Sequence, residues 1–335
     1  MYLPATFGTA LILTILTAVF WGSWANTYKG TRDYPFSLFY WDYILGVVLC
    51  SFLFAFTLGS MGTSGQPFLA NLASADIANV RSALIAGAIF NIANLLLVAA
   101  VDIAGLAIAF PIAIGIAVVE GVILSYALQP RGQMVFLGAG VSLAVVAVLF
   151  DARAYRILSR SSAPMAIGVE PTSSAAKGII ISIVSGILMG GFAPFVTHAL
   201  TAGNSLTPYS VAALFSIGAL LCCIVVNTYF MKRPLHGPSA IFADYFRAGP
   251  RNHLLGLAGG VAWAVGGCFN FIAAGFVGVP ISYAIGQSAP LIAAGWGVLV
   301  WQEFKGAPKG AWTALAWMAA AYIVAIGLIA AAYDH

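Results

Sequence analysis

Charge is what this chain has least of. Asp, Glu, Lys and Arg make up 7% of its 335 residues, where a soluble domain carries about 25%. A surface facing water cannot be covered at that density, so a soluble globular protein is excluded. Cysteine is equally sparse, and Cys50, Cys222, Cys223 and Cys268 all lie inside apolar runs. None has metal-ligand spacing and none sits in a loop where a disulfide staple is usual, so they read as small packing residues. Histidine is rare too. His198 and His253 stand isolated, with no H-E-x-x-H pattern. No G-x-S-x-G or Walker-type loop occurs. No metal and no cofactor is expected, and no clustered nucleophile or paired acids suggest an enzyme. An ATP-driven pump would need a soluble nucleotide-binding part that this sequence lacks. The 14 Lys and Arg, net charge +4, are scattered through connectors and form no basic face, so no nucleic-acid partner is expected.

What is present is apolar. Hydrophobic residues are 61% of the chain and mean hydropathy is +0.98. A helix needs about 20 apolar residues to cross the hydrocarbon core. Ten such spans are expected, near 5–26, 38–59, 82–101, 104–128, 133–151, 177–200, 207–231, 254–276, 279–301 and 311–332. The first run has no Lys or Arg before it and exceeds a signal h-region, so it reads as a retained span. Three connectors are longer, 60–81, 152–176 and 232–253. The last holds "SAIFADYF", which suits a short helix lying in the interface. Connectors after odd-numbered spans hold Lys29, Arg32, Arg153, Arg156, Arg160, Lys177, Lys232, Arg233, Arg247, Arg251, Lys305 and Lys309; the other side holds only Arg81 and Arg131. Positive residues stay cytoplasmic, so a multi-pass protein of the cell (inner or plasma) membrane with both termini extracytoplasmic is expected.

Sliding the sequence until Asn94 falls on Asn270 sets Val101 on Val277, Pro111 on Gln287 and "EGVIL" on "WGVLV". A nearby shift sets "FWGSWA" on "LMGGFA". Both halves follow one order: a glycine-aromatic span, a long middle, an amide-bearing span, a very short connector, a proline-bearing span. The expected division is 1–151, a linker 152–176, and 177–335. Five spans per half is odd, so the second half enters the membrane the opposite way, an inverted repeat with a site between the halves near midplane.

Polar residues within the spans are the candidate site. Asn91 and Asn94 in "AIFNIANLLL" share a helix face. Each amide brings two N–H donors and a carbonyl acceptor. In hydrocarbon they must face protein or a wet cavity. As interhelical glue such bonds average only about 0.6 kcal/mol, and lining a cavity is the default at this depth. Asn270 ends a stripe with Trp263, Gly266 and Gly267 whose glycines leave room for a planar polar guest. Gln287, Ser288 and Pro290 form "GQSAP". Pro290 removes a backbone donor and frees a carbonyl, and Pro111 is the matching break, so spans four and nine are both expected to kink. Glu120 is the sharpest proton carrier, because a carboxylate at its depth costs a few kcal/mol or more on insertion. Asp42 is the second, read also as a helix-dipole residue paired with Lys29 or Arg32. Asp102 and Glu303 read as interfacial. Trp21, Trp24, Tyr40, Trp41 and Trp301 fall where an aromatic belt is expected. Trp21, the deepest, doubles as a stacking surface. Ser182, Gly186 and Gly190 read as a close-packing face.

The stretches "FWGSWANTYK", "LFYWDY", "FNIANLLLVAAVDIAGLAIAFPIAIGIA" and "GGVAWAVGGCFNFIAAGFVGVPISYAIGQSAPLIAAGWGVLVWQEFKG" together resemble the drug/metabolite transporter superfamily. They look most like its ureide permease-like and glucose/ribose-porter-like branches. The resemblance runs from about Gly8 to Ala332. It implies an all-α polytopic fold of ten transmembrane helices in two inverted five-helix repeats. It also implies ion-coupled movement of a small organic solute, allantoin or nucleobase-like in one branch and a monosaccharide in the other. Trp21, Trp24, Asp42, Asn94, Asn270 and Gln287 are the site residues it suggests. The expected function is a secondary transporter taking up a ureide, nucleobase or sugar with protons, or with Na+ in their place, by alternating access. Asn91, Asn94, Asn270, Gln287 and Ser288 would hydrogen-bond the solute between Trp21 and Trp263. Drug efflux is the alternative, and a homodimer is compatible with the sequence.

Overall fold

The computed structural model describes residues 1–162, 173–237 and 239–333, which form fifteen α-helices and, among the described residues, no strand. The first half runs α1 (Phe7–Ser23), α2 (Ala25–Lys29), α3 (Phe36–Phe56), α4 (Phe68–Ser74), α5 (Ile77–Ala104), α6 (Leu106–Leu128) and α7 (Met134–Ser162). The second runs α8 (Ser173–Gly191), α9 (Ala193–Thr201), α10 (Pro208–Lys232), α11 (Phe242–Arg247), α12 (Pro250–Val277), α13 (Val279–Gly286), α14 (Ala289–Leu299) and α15 (Lys309–Ala331). Nine stretches of the described residues are helices long and apolar enough to cross a membrane. Their outward faces carry bare aliphatic side chains such as Leu49, Val135, Val225 and Ile323. This is the polytopic membrane fold, dressed for lipid rather than water.

Local chemistry sets the helix ends. Thr6 caps α1 through a capping box with Thr9, and Thr207 caps α10 by accepting from the Ser210 N–H (3.3 Å) just before Pro208. The two shortest connectors are single glycines. Gly105 joins α5 to α6 at φ 81°, ψ 155°, and Gly278 joins α12 to α13 at φ 91°, ψ 151°. That backbone region is essentially glycine's alone. The two glycines hold matching places, each after a 28-residue helix.

The first helix of each half packs on the other half: α1 against α12, α13 and α14, and α8 against α5 and α6. The middle helices α3 and α10 meet each other and α12 and α5 respectively, while α7 and α15 form an outer pair. Gly186 and Gly190 let α8 approach α6, where added Cβ atoms would meet the Ala113 carbonyl oxygen at 2.7 Å and Glu120 Cβ at 2.9 Å.

Three expectations change. Pro111 does not break α6, which runs unbroken through it. Only one turn of helix precedes Pro111, so there is little helix to redirect, and the local cost is one lost bond. The ninth span is not one helix but α13 and α14, separated at Gln287–Ser288, with Pro290 in the first turn of the new helix, where its missing N–H is harmless. Helix α7 also outruns its expected end. "DARAYRILSRSS" contains no breaker, so residues 152–162 of the expected linker are helical and 173–176 already belong to α8. The remaining linker, 163–172, lies outside the described residues.

Candidate functional site

A cavity of about 140 Å³ lies where the interrupted helices converge. At the α1–α2 junction Trp24 keeps helical angles (φ −57°, ψ −39°), and at the α8–α9 junction Phe192 does the same (φ −75°, ψ −27°). Both are tightened joints, not unwound ones. "FWGSWA" and "LMGGFA" set Trp24 on Phe192 and Trp21 on Met189, and all four residues line the cavity. The α13–α14 junction is a sharper break: Gln287 and Ser288 have ψ near zero (1° and 3°), and Gln287, Ala289 and Pro290 face the cavity. Trp296 Nε1 donates to Ser23 Oγ (2.8 Å) and Trp301 Nε1 to Asn26 Oδ1 (2.6 Å), binding α14 and its following loop to the α1–α2 joint.

Of the residues singled out from sequence, Trp21, Asn94, Trp263, Gln287 and Pro290 line this one cavity, with Phe90, Leu97, Phe110 and Ile114 completing an apolar wall. Asn94 donates to the Tyr40 hydroxyl (3.4 Å), and among the described residues no donor bonds its carbonyl oxygen. The Gln287 side chain, 8% exposed, makes no hydrogen bond among the described residues. The Gln287 amide and the Asn94 carbonyl oxygen thus keep unused hydrogen-bonding capacity beside the cavity. Trp21 and Trp263 stack at 5.9 Å between centroids and 13° between planes. A ring inserted between them needs about 7 Å, two contacts of about 3.5 Å. They are therefore one wall of the cavity, not two jaws. The space beside Gly266 is already taken: a Cβ there would lie 2.8 Å from Trp21 Cδ1.

The remaining candidates lie elsewhere. Asn270 donates to the Ser282 carbonyl (2.8 Å) and staples α12 to α13. Asn91 is fully buried, and neither of its amide atoms has a partner at hydrogen-bond geometry among the described residues. Ser288 Oγ is buried without a partner, behind the break. Pro111 lies within α6 away from the cavity lining. Glu120 borders a shallow apolar groove on the outer side of α6, with Ile116, Val119 and Ile123, and has no hydrogen-bond or ion-pair partner among the described residues.

Asp42 is not paired with Lys29 or Arg32. Lys29 bonds Glu303 and lies 4.8 Å over the Trp301 ring. Asp42, 2% exposed, accepts from Tyr34 Oη (2.7 Å) and Tyr245 Oη (2.6 Å) and lies 3.0 Å from His253 Nδ1. His253 is therefore not isolated. Burial, reinforced by the Asp42 carboxylate that accepts their hydrogen bonds, holds the Tyr34 and Tyr245 hydroxyls well above the usual tyrosine range. A further carboxyl, Asp151, was not singled out. It is 5% exposed in α7, with Oδ1 unpartnered, because the helix continues past it and carries it between α7 and α15. The absence of any breaker after residue 151 was the available signal. A further space of about 470 Å³ lies among the head of α3, α5 and α10, lined by Tyr34, Phe36, Asp102, Asn227 and His236 among others.

Residues 165–332, half of the chain, match the family model described as ureide permease. The chain belongs to the ureide permease family. Ureide permease 1 of Arabidopsis thaliana is 25% identical over 390 aligned residues, covering all of both chains. Ureide permease 2 of the same plant is 22% identical over 398, again end to end. Ureide permease 3 is 25% identical over 313 residues, 83% of this chain and 90% of that one. A solved crystal structure superposes with a TM-score of 0.61 at 14% identity, over 94% of this chain and 97% of the other, a likeness of fold alone. By family the chain is a multi-pass membrane transporter.

Proposed function

We propose that the chain carries a ureide, or a nucleobase-like solute of the same donor–acceptor pattern, through the central cavity by alternating access between two inverted five-helix halves (1–151 and 177–335) joined by the linker 152–176, with protons driving uptake. The observation that carries this reading is a pair of amides facing one small cavity with an indole wall, Gln287 without a hydrogen bond among the described residues and Asn94 bonded only through one N–H to Tyr40. A ureide alternates N–H and C=O around a small near-flat frame, and each carboxamide offers both a donor and an acceptor to it. A monosaccharide, with a hydroxyl on nearly every carbon, would leave most of its hydrogen bonds unmade against this largely apolar lining. Pockets for drug-sized ligands run about 300–1,000 Å³, and about 140 Å³ favours a small solute over drug efflux. Two intramembrane carboxyls are the proposed proton carriers. Asp42 is joined to a histidine and two tyrosines, whereas Glu120 lies off the cavity, which moves the weight to Asp42.

The test is uptake of radiolabelled allantoin by proteoliposomes with and without an inward proton gradient. Accumulation is expected only with the gradient, and Gln287→Ala and Asn94→Ala are each expected to weaken half-saturation about 5- to 100-fold, the range for removing a hydrogen-bond partner in a desolvated site. Unchanged half-saturation in both variants would refute the cavity assignment, and gradient-independent accumulation would refute the coupling.

A further inference from the structure

The space of about 470 Å³ at the head of α3 differs in charge from its surroundings. Asp33, in the connector between α2 and α3, and Asp102, in the last turn of α5, both line it. Among the described residues neither carboxylate has a hydrogen-bond or ion-pair partner. No described lining residue is Lys or Arg. Yet the connectors after odd-numbered spans, which meet at this end of the molecule, hold twelve of the chain's 14. An acid in the last turn of a helix also works against the helix dipole, so Asp102 is poorly placed for stability alone. Asn227 of α10 lines the same space and is fully buried. One of its N–H groups donates to the Ser37 carbonyl (2.8 Å), while its Oδ1 has no partner among the described residues. A buried acceptor in that state wants a donor. Tyr28 and Phe36, fixed edge to face at 5.2 Å, form an aromatic wall. The Tyr34 hydroxyl is spent on Asp42 (2.7 Å), and the Lys177 ammonium on the Leu235 carbonyl (3.0 Å). His236 is the other titratable group on the lining.

We propose that this space is a binding site for a small organic ammonium ion, held through its N–H groups by Asp33 and Asp102 with its carbon frame against Tyr28 and Phe36. The unmet groups are two carboxylates and an amide oxygen, all acceptors. An ammonium is their complement, because it carries donors and no acceptor. Its charge strengthens each of those hydrogen bonds, and the face of an aromatic ring attracts it as well. Size decides between an organic ion and a bare metal ion. About 470 Å³ falls in the range of pockets for small molecules, about 300–1,000 Å³. Calcium or magnesium needs about six oxygens closed tightly around it, and no group of three or more His, Cys, Asp or Glu suited to a metal occurs among the described residues. A ureide fits poorly here, since its carbonyl oxygens would face carboxylates. The site therefore takes a different class of molecule from the one proposed for the central cavity, and it stands whether or not a ureide is carried.

The test is calorimetric titration of the full chain in detergent with putrescine, at constant ionic strength and about pH 8, where an ordinary imidazole carries no charge to compete. Saturable binding is expected. Asp33→Asn and Asp102→Asn are each expected to weaken it about 3- to 10-fold, a charged hydrogen bond discounted for exposure to water. Ala99→Trp, which fills the space without changing its charge, is expected to abolish binding. Asp76→Asn, the same loss of charge at the opposite end of α5, is expected to leave it unchanged. Tetramethylammonium, a cation with no N–H to donate, is expected to bind more weakly than putrescine. Absence of saturable binding would overturn the site. So would equal weakening by Asp76→Asn, which would mean diffuse attraction to a negative surface, or full binding by Ala99→Trp. Should Ala99→Trp fail to fold, unchanged affinity in both Asp33→Asn and Asp102→Asn overturns it instead.

Discussion

At the scale of single residues, equal chemistry has divided into different work. Asn91 and Asn94 lie three apart on α5, yet Asn94 faces the cavity and Asn91 is sealed against α10 with its two N–H donors and its carbonyl oxygen unmet among the described residues. A buried polar group without a partner costs about 1–3 kcal/mol. Asn91→Leu is therefore expected to raise the melting temperature in detergent while allantoin uptake survives. Lost uptake in a well-folded Asn91→Leu would mean that this amide meets solute or water in another conformation. Sequence could name both asparagines because amides are conspicuous among apolar neighbours. It could not separate them, because a helical face about 60° wide still spans two neighbours, one a cavity and one a helix. Similarly, nothing local joined His253 to Asp42, since 211 positions separate them and only tertiary packing brings them together.

At the scale of elements, the joints matter more than the spans. The apolar runs were legible because a membrane helix must be long and uncharged. The joints at Trp24 and Phe192 were not, because both residues keep helical angles and neither is a proline or glycine. Proline was a fair guide only when its depth in the helix was considered. Pro290 opens a new helix, whereas Pro111, one turn in, is absorbed. The single-residue connectors give the sharpest test. Gly278→Ala places a Cβ at φ 91° and 2.8 Å from Arg131 Cβ. A cost of about 1–3 kcal/mol is expected from the backbone alone, read as a lower melting temperature and reduced folded yield. An unchanged melting temperature would mean that the α12–α13 connector is far more pliant than its geometry implies. Gly105→Ala meets no atom within 4 Å, so it isolates the backbone contribution from the steric one.

At the scale of the molecule, the crossed packing of α1 on α12 and of α8 on α5 makes neither half self-sufficient. Each half packs its first helix on the other, an arrangement that would keep the halves joined in the proposed rocking. The distribution of Lys and Arg leads us to expect both termini on the extracytoplasmic side. A tag at either end should accordingly be reached by impermeant antibody or protease in intact spheroplasts, and protection of both ends would reverse the direction assigned to every span. The order of features along the sequence led us to expect an inverted repeat. Which helix packs on which could not be read there, because apolar surfaces in lipid carry little partner information.

The break at Gln287–Ser288 has one electrostatic consequence. There the C-terminal end of α13 and the N-terminal end of α14 follow one another directly, with Gln287, Ala289 and Pro290 lining the cavity. Their partial charges, about half an electron each and opposite in sign, nearly cancel at a distance but not within a molecule's breadth. Such a wall gives little purchase to an ion of either sign. The proposed solute, neutral but polar end to end, is expected to align with it.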